Sequence, residues 1–170
     1  MNFLTNLKLR KSEIFNKLNF FYLIIVVMLF FADRYLKLNI INNFSDNVYY
    51  INSFVNFDLI WNTGIGFGLF SSSSNIIYNL ITTVIGFVII ILFFIMLISN
   101  KLEKIIYTVI TGGALGNFYD RIYYMAVPDF IDLHYKNYHW FTFNIADIFI
   151  TMGLILLIIY GSPKKKNEKI

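Results

Sequence analysis

Three carboxylates occupy positions where charged side chains are rare, at the ends of long apolar segments. Asp33, Asp120 and Asp147 each lie 16 or 17 residues from the basic cluster at the opposite end of their segment. At 1.5 Å per helical residue, all three are about 24 to 26 Å from those clusters. Three acids on three segments therefore reach the same level. Acids inside apolar spans are costly, which makes them candidates for a functional site.

Two of these acids belong to the same local pattern, Asn-x-x-Asp. Asn117 precedes Asp120 and Asn144 precedes Asp147 by three residues, which puts amide and carboxylate on one helical face. A purely structural alternative is that each Asn satisfies its own Asp, and that Asp120 pairs with its neighbour Arg121. The pattern alone does not decide between this structural interpretation and a functional site.

The available side chains restrict the chemistry. The chain has no Cys and two His, so thiol catalysis is excluded and a metal site is poorly supplied. The serines at 71–74 lack the Gly-x-Ser-x-Gly context of a serine hydrolase. Two nearby carboxylates can share one proton, so that one activates a water while the other polarises a carbonyl. Aspartyl proteolysis without metal or cofactor fits best, and a proton or cation relay is the rival.

The elements that must position these groups are membrane helices. Apolar residues make up 58% of the 170-residue chain, charged residues only 14%, and the mean hydropathy is +0.64. Soluble domains carry about 25% charged residues, so the composition indicates an integral membrane protein. We predict a single domain, 1–170, with four transmembrane helices, each near the required length of about 20 residues. They cover about 19–38, 76–98, 105–124 and 143–160.

The distribution of basic residues predicts the orientation. Ten of the fourteen lie in three clusters, which are Lys8, Arg10, Lys11 and Lys17; Lys101 and Lys104; and Lys164, Lys165, Lys166 and Lys169. By the positive-inside rule, both termini and the middle loop are cytoplasmic, which puts the three acids near the outer face. A nucleic-acid-binding face would not be interrupted by long apolar runs, so no nucleic-acid partner is expected.

The two outer loops have different patterns. Residues 39–74 contain aromatic and β-branched stretches broken by Asn, Ser and Gly, which predicts a small extracytoplasmic β-structure. After Pro128, residues 129–135 are predicted to form a short interfacial helix, because Pro can begin a helix. Gly112 and Gly116 form a Gly-x-x-x-Gly spacing, which favours close approach of another helix.

Five short motifs follow one another along nearly the whole chain. They are Asp33-Arg34-Tyr35-Leu36-Lys37, Asn62-Thr63-Gly64-Ile65-Gly66-Phe67-Gly68, Gly112-Gly113-Ala114-Leu115-Gly116-Asn117-Phe118-Tyr119-Asp120-Arg121, Val127-Pro128-Asp129-Phe130-Ile131-Asp132 and Phe143-Asn144-Ile145-Ala146-Asp147. In this order and spacing, the sequence resembles the lipoprotein signal peptidase (signal peptidase II) family, the aspartyl proteases of bacterial inner membranes. The resemblance implies four transmembrane helices, cytoplasmic termini and an extracytoplasmic β-cradle lying on the membrane.

The same resemblance implies a substrate and a set of site residues. The substrate would be a prolipoprotein, cleaved immediately before a Cys that already carries diacylglycerol. The catalytic pair would be Asp129 and Asp147, whereas the depth argument alone would pair Asp147 with Asp120 or Asp33. The remaining matched positions would line or brace the site. They are Asp33, Asn62, Asn117, Asp120, Arg121 and Asn144.

The chain departs from the usual family pattern at three positions. The family usually has Gln where Arg34 stands, Val where Pro128 stands and Pro where Phe141 stands, and none of these changes removes a carboxylate. We therefore predict a monomeric membrane aspartyl endopeptidase that acts on diacylglyceryl-modified prolipoproteins among membrane lipid. The alternatives are a small transporter or proton-relay subunit, for which the inner helix halves offer few polar groups, and an inactive scaffold.

Overall fold

The computed structural model describes residues 14–45, 47–65 and 74–161. The predictions for most basic residues at the termini, and for residues 66–68 and 71–73, lie outside these ranges. The described residues form four helices and one antiparallel sheet of four strands in the order β1-β2-β3-β4. The helices are α1 (Lys17–Asn43), α2 (Asn75–Ile98), α3 (Lys101–Tyr124) and α4 (Ile145–Gly161), and the strands are β1 (Tyr49–Asn52), β2 (Val55–Asn62), β3 (Val127–Tyr135) and β4 (Tyr138–Phe143).

Helix α3 is the centre of the bundle, because it packs against α1, α2 and α4. Its small residues allow this. A Cβ added at Gly112 would lie 2.8 Å from Leu29 Cβ, and one at Gly116 would overlap the carboxylate of Asp33. On another face, a Cβ at Gly113 would lie 2.6 Å from the carbonyl oxygen of Ala146. The prediction that the Gly-x-x-x-Gly spacing lets a helix approach closely is confirmed, and that helix is α1.

One end of the bundle is held by polar groups that satisfy helix ends. The side chain of Asn100 accepts hydrogen bonds from the N–H groups of Leu102 and Glu103, each at 3.1 Å, and so caps α3. The buried Lys104 donates to the carbonyl of Leu97 at 2.7 Å, in the last turn of α2. Lys104 also donates to the side chain of Asn19 on α1 at 2.6 Å. Three helices are therefore joined at this end by one ammonium group.

The outer faces of the helices are apolar. On α2, for example, Phe87, Ile91 and Phe94 are all more than half exposed. Judged by length and composition, α2 is the one helix among the described residues that is both long enough and apolar enough to cross a membrane. α4 is apolar but shorter. α1 and α3 differ from these two because each carries several charged residues within its length, among them Asp33, Arg34 and Lys37 on α1 and Asp120 and Arg121 on α3. An apolar outer surface of this extent fits contact with lipid rather than water.

The prediction of a short interfacial helix at 129–135 is wrong, because these residues belong to strand β3. β3 lies between β2 and β4, and its residues 127–134 are almost all buried. Pro128 is tolerated because it is the second residue of the strand, opposite Trp61 of β2, whereas pairing with β4 begins only at Ile131. Because Pro128 pairs with β2 and not with β4, the sheet does not need its missing N–H for a hydrogen bond to β4.

The predicted β-structure at 39–74 is confirmed for β1 and β2, but these are only half of the sheet. β2 pairs with β3, which follows α3 in the chain, so the sheet joins the two loops that the sequence suggested were separate. The first helix also continues beyond its predicted end at residue 38. Its last turns stay helical because Ile40 is buried, and because Asn43 donates to the backbone oxygen of Asn39 at 3.0 Å.

Candidate active site

Asp129 is a buried carboxylate near the start of β3. Its register opposite Ile60 on β2 brings it close to Asn62, at the end of that strand. Asn62 donates a hydrogen bond to one carboxylate oxygen at 2.8 Å, and Asn144 donates to the other at 2.6 Å. The side chain is oriented from both sides, and Asp129 is only 3% exposed.

Asp147 lies in the first turn of α4, where it forms a reciprocal cap with Asn144. The side-chain oxygen of Asn144 accepts from the N–H of Asp147 at 3.1 Å, and a carboxylate oxygen of Asp147 accepts from the N–H of Asn144 at 3.1 Å. This is the arrangement of a capping box, which satisfies two backbone donors at a helix start. The other carboxylate oxygen accepts from Asn117 of α3 at 2.8 Å.

Asn144 therefore contacts both carboxylates. Its side-chain amide group donates to Asp129, while its backbone and side-chain oxygen hold Asp147. The pKa of Asp129 is raised to about 6, first by burial and then by the negative charge of Asp147, against the opposing hydrogen bonds from Asn62 and Asn144. Two carboxylates that influence each other in this way titrate as a pair and favour a state with one shared proton.

Lys37 connects the other carboxylates to this pair. Its buried ammonium group lies 2.7 Å from oxygens of Asp33 and Asp120 and donates to the side-chain oxygen of Asn117 at 2.7 Å. The ammonium group donates hydrogen bonds to Asp120 and Asn117, whereas its contact with Asp33 is an ion pair. The amide of Asn117 donates to Asp147, so Asn117 links Lys37 to the candidate pair.

Asp33 and Asp120 serve as anchors between helices. The second oxygen of Asp33 accepts from the N–H of Ala146 at 3.1 Å, at the start of α4. The second oxygen of Asp120 is bound by the guanidinium of Arg34. The three carboxylates predicted to share one depth are thus linked in one network, although Asp120 and Asp33 contact cations rather than Asp147.

The suggested ion pair between Asp120 and Arg121 is wrong. Adjacent residues on a helix point in different directions, and the guanidinium of Arg121 instead donates to the carbonyl of Gly64, beyond the end of β2. The Tyr78 hydroxyl donates to the backbone oxygen of Arg121 at 3.0 Å. The related suggestion that each Asn satisfies its own Asp holds for Asn144 and fails for Asn117, whose amide donates to Asp147.

Two cavities meet at Asp147. One, of about 290 Å³, lies between α2, α3 and α4 and has a polar end formed by Asn117, Arg121 and Asp147. The other, of about 220 Å³, lies between β4 and α4 and is almost entirely apolar. Both also contact Thr151, one turn beyond Asp147. A molecule in either cavity would contact Asp147, and the larger cavity is the one with polar groups beside it.

Lys37 is the residue of this network that the sequence argument did not select. Its spacing of four residues from Asp33 is an ion-pair signal on a helix, so the pattern was present in the sequence. Asn62, in contrast, was found only through the family resemblance, whereas Asn144 was also part of the Asn-x-x-Asp pattern. No local pattern predicts that both donate to Asp129, because β2, β3 and α4 are far apart in the chain.

A further group of titratable residues lies on the sheet, away from the pair. Asp132 accepts from His139 at 2.7 Å and lies 3.7 Å from a ring nitrogen of His134. Within residues 14–45, 47–65 and 74–161, no three His, Cys, Asp or Glu side chains are arranged to hold a metal ion. The candidate site itself combines two carboxylates, three amides and two guanidinium or ammonium groups.

Comparison with known proteins identifies the family. The family model described as signal peptidase (SPase) II matches residues 25–162, a range that includes every candidate site residue. The chain belongs to the signal peptidase II family. The lipoprotein signal peptidase of Pelagibacter ubique is 50% identical over 165 residues, covering 91% of this chain and 99% of the relative. That of Francisella tularensis subsp. novicida is 39% identical and covers 86% and 94%.

Solved structures agree with this assignment. Two structures of a bacterial membrane enzyme match with TM-scores of 0.71 and 0.69, at 27% and 29% identity. They cover 84% and 86% of this chain, and 93% of the matched chains in both cases. The resemblance inferred from the five motifs is confirmed, as are the membrane fold with a small antiparallel sheet and the assignment as an aspartic peptidase. The family processes prolipoproteins, which favours a peptidase over the transporter alternative.

Proposed function

We propose that this protein cleaves diacylglyceryl-modified prolipoproteins immediately before the lipidated Cys, with Asp129 and Asp147 as its catalytic residues. One observation carries the proposal. Asn144 hydrogen-bonds to both carboxylates, and each carboxylate receives a second amide, Asn62 for Asp129 and Asn117 for Asp147. One asparagine that contacts both carboxylates, together with a further amide on each, supports a pair that shares a proton.

The reaction needs only this pair and a water. The ionised carboxylate removes a proton from the water, whose oxygen attacks the carbonyl carbon before the Cys. The protonated carboxylate donates a hydrogen bond to the carbonyl oxygen as negative charge develops there. When the C–N bond breaks, the amino group of the Cys takes up the proton that the carboxylate removed from the water, and the signal peptide leaves with a new carboxyl group.

The remaining site residues would position the substrate or the pair. Arg121 and Asn117 line the polar end of the larger cavity, where their donors would hold backbone carbonyls of the signal peptide. Asp33 and Asp120 would keep α1, α3 and α4 in register through Lys37. The apolar cavity on the other side of Asp147 offers space for apolar parts of the substrate.

We further propose that the protein is a monomeric, single-domain enzyme, 1–170, with four membrane-spanning helices and cytoplasmic termini. The polar network lies at one end of the bundle, and Lys101 and Lys104 lie at the other end of α3. With the basic end inside, the candidate pair would be close to the extracytoplasmic face. There the lipid of the substrate could stay in the bilayer while the peptide bond meets water.

A cleavage assay with purified protein tests this function. We expect cleavage of a diacylglyceryl-modified prolipoprotein and none of its unmodified twin. Asp129→Asn and Asp147→Asn should each lower turnover by at least about 10³-fold, since neither variant can both accept and donate the proton. Asp58→Asn is the matched control, a carboxylate on β2 outside the network, and should retain wild-type turnover. Substantial cleavage by either active-site variant would refute the assignment of the pair.

A further inference from the structure

Arg34 is a buried charged residue that contacts the network around the candidate pair. It is 7% exposed and lies on α1, next to the candidate site. Its guanidinium binds one oxygen of Asp120, donates to the Tyr124 hydroxyl at 3.3 Å and lies over the ring of Tyr119, 4.7 Å from its centroid. A group this well packed belongs to the fixed part of the site rather than to its surface.

Four successive contacts lead from Arg34 to Asp147. Arg34 binds one oxygen of Asp120, and the other oxygen of Asp120 binds Lys37. Lys37 donates to the oxygen of Asn117, and the amide of Asn117 donates to Asp147. Arg34 and Lys37 each bind one oxygen of Asp120, and Lys37 also contacts Asp33 and Asn117.

The residues Asp33, Arg34, Lys37 and Asp120 form a four-charge cluster with no net charge. Its titratable neighbours are Tyr78 on α2, Tyr119 and Tyr124 on α3, Asp147 on α4 and Asp129 on β3, whereas the guanidinium of Arg121 on α3 is bound to the Gly64 carbonyl. The charge of Lys37 already acts on both Asp129 and Asp147. With Gln at position 34, the same cluster would carry one net negative charge beside the pair.

We propose that Arg34 is a positioning residue that keeps the four-charge cluster neutral and thereby sets the pH range in which Asp129 and Asp147 cleave substrate. The proposal rests on the proposed function. Arg34 acts through Asp120, Lys37 and Asn117 and does not line either cavity at Asp147. Its removal should therefore change the pH dependence of turnover and leave KM nearly unchanged.

The first test compares pH profiles of kcat/KM and kcat. In Arg34→Gln, the uncompensated negative charge favours the protonated carboxyls, so both limbs of the profile should move to higher pH by about half a unit. Arg34→Lys retains the charge and should keep the wild-type profile. Lys101→Gln removes an exposed cation at the far end of α3 and should also leave the profile unchanged.

The second test reverses the charge change. Asp120→Asn leaves one net positive charge, so its profile should move to lower pH. The double variant Arg34→Gln/Asp120→Asn restores neutrality, and its profile should return to that of the wild type. This variant also buries no unpaired charge from the removed ion pair, so it keeps the test valid if a single variant does not fold.

The outcomes separate this proposal from the proposed function. If the wild type cleaves substrate, either of two results would refute the role of Arg34 and leave the proposed function intact. One is an Arg34→Gln profile identical to that of the wild type, and the other is a displaced profile in the double variant. An effect on thermal stability with no shift in pH dependence would likewise make Arg34 purely structural. Absence of cleavage by folded wild-type protein would refute the proposed function itself.

Discussion

Asn144 illustrates how one residue can organise a site through both its backbone and its side chain. It begins α4 by capping it, and the partner in that cap is Asp147. The same side chain has an amide group left over, which donates to Asp129 on the sheet. The conformation that starts the helix therefore also fixes the relative position of the two carboxylates.

This double role gives a prediction for Asn144→Ala. The variant loses the donor to Asp129 and the side-chain acceptor for the N–H of Asp147. Loss of an N-cap costs about 1 kcal/mol, whereas loss of orientation at a catalytic pair costs more. We expect kcat to fall by at least about 100-fold with only a few degrees' decrease in Tm, measured on purified protein. A variant with near-wild-type kcat would contradict the role of Asn144.

The raised pKa of Asp129 predicts the basic limb of the pH profile. The pair needs one proton, and Asp129 loses its proton as the pH rises through about 6. In the free enzyme, kcat/KM should therefore decline above about pH 6, and steady-state kinetics across pH 4 to 9 would measure this. A profile that stays flat to pH 8 would contradict it.

The same shift makes Asp129 a source of instability. A buried carboxyl whose pKa is raised contributes most to stability when it is protonated, and that contribution is lost as pH rises from about 4 through 6. Asp129→Asn removes the buried charge, so at pH 8 we expect a Tm equal to or above that of the wild type although cleavage is lost. If the two proteins had equal Tm values at pH 4 and the variant had the lower Tm at pH 8, ionised Asp129 would stabilise the fold, and this prediction would be contradicted.

At the scale of elements, local patterns predicted the helices better than the sheet. The apolar lengths located all four helices, because helix contacts are local and the apolar outer face is long. The residues of β3 were predicted to form a helix because Pro128 is compatible with the start of a helix as well as with the start of a strand. What decides the matter is pairing with β2 and β4, and β2 is more than sixty residues away in the chain.

The site follows the same division. Asp33, Asp120 and Asp147 could be predicted from depth, since helical rise fixes the level that a side chain reaches. The partner of Asp147 could not be predicted from depth, because Asp129 lies on a strand whose position depends on its register with β2. Family resemblance supplied Asp129, and the structure places it against the same Asn144 that holds Asp147.

Close packing of α1 on α3 gives a prediction at this scale. In Gly116→Ala, the added methyl group would overlap the carboxylate of Asp33 and displace α1. Overpacking of this kind typically costs about 1 to 3 kcal/mol, and here it also disturbs the ion pair of Asp33 with Lys37. We expect a lower Tm together with at least a 10-fold loss of turnover.

Gly86→Ala is the matched control for that substitution. Its Cβ would meet only the ring of Phe118, at 3.0 Å, and a side chain can move aside more easily than a network of buried charges. We expect a smaller change in Tm and wild-type turnover. Equal losses in the two variants would mean that the contact between Gly116 and Asp33 has no special role.

At the scale of the whole molecule, polarity divides the bundle into two ends. One end holds the ion pairs, the candidate carboxylates and the sheet. The other holds Lys104, which joins α1, α2 and α3, and the exposed Lys101. Between them the helices expose apolar side chains. This division is what a membrane enzyme needs if its substrate peptide is to be cut at one water–lipid boundary.

The proposed orientation can be tested directly, because the natural chain contains no Cys and so gives no background to thiol reagents. Asn137→Cys puts a thiol in the exposed turn between β3 and β4, and Lys101→Cys puts one at the exposed start of α3. With a membrane-impermeant maleimide added to spheroplasts, we expect Asn137→Cys to be labelled at once and Lys101→Cys only after lysis. Each variant should retain cleavage activity, because neither residue contacts the network. Labelling of Lys101→Cys in intact spheroplasts would invert the orientation and put the candidate pair on the cytoplasmic side, where a lipid-modified precursor emerging from export would not meet it.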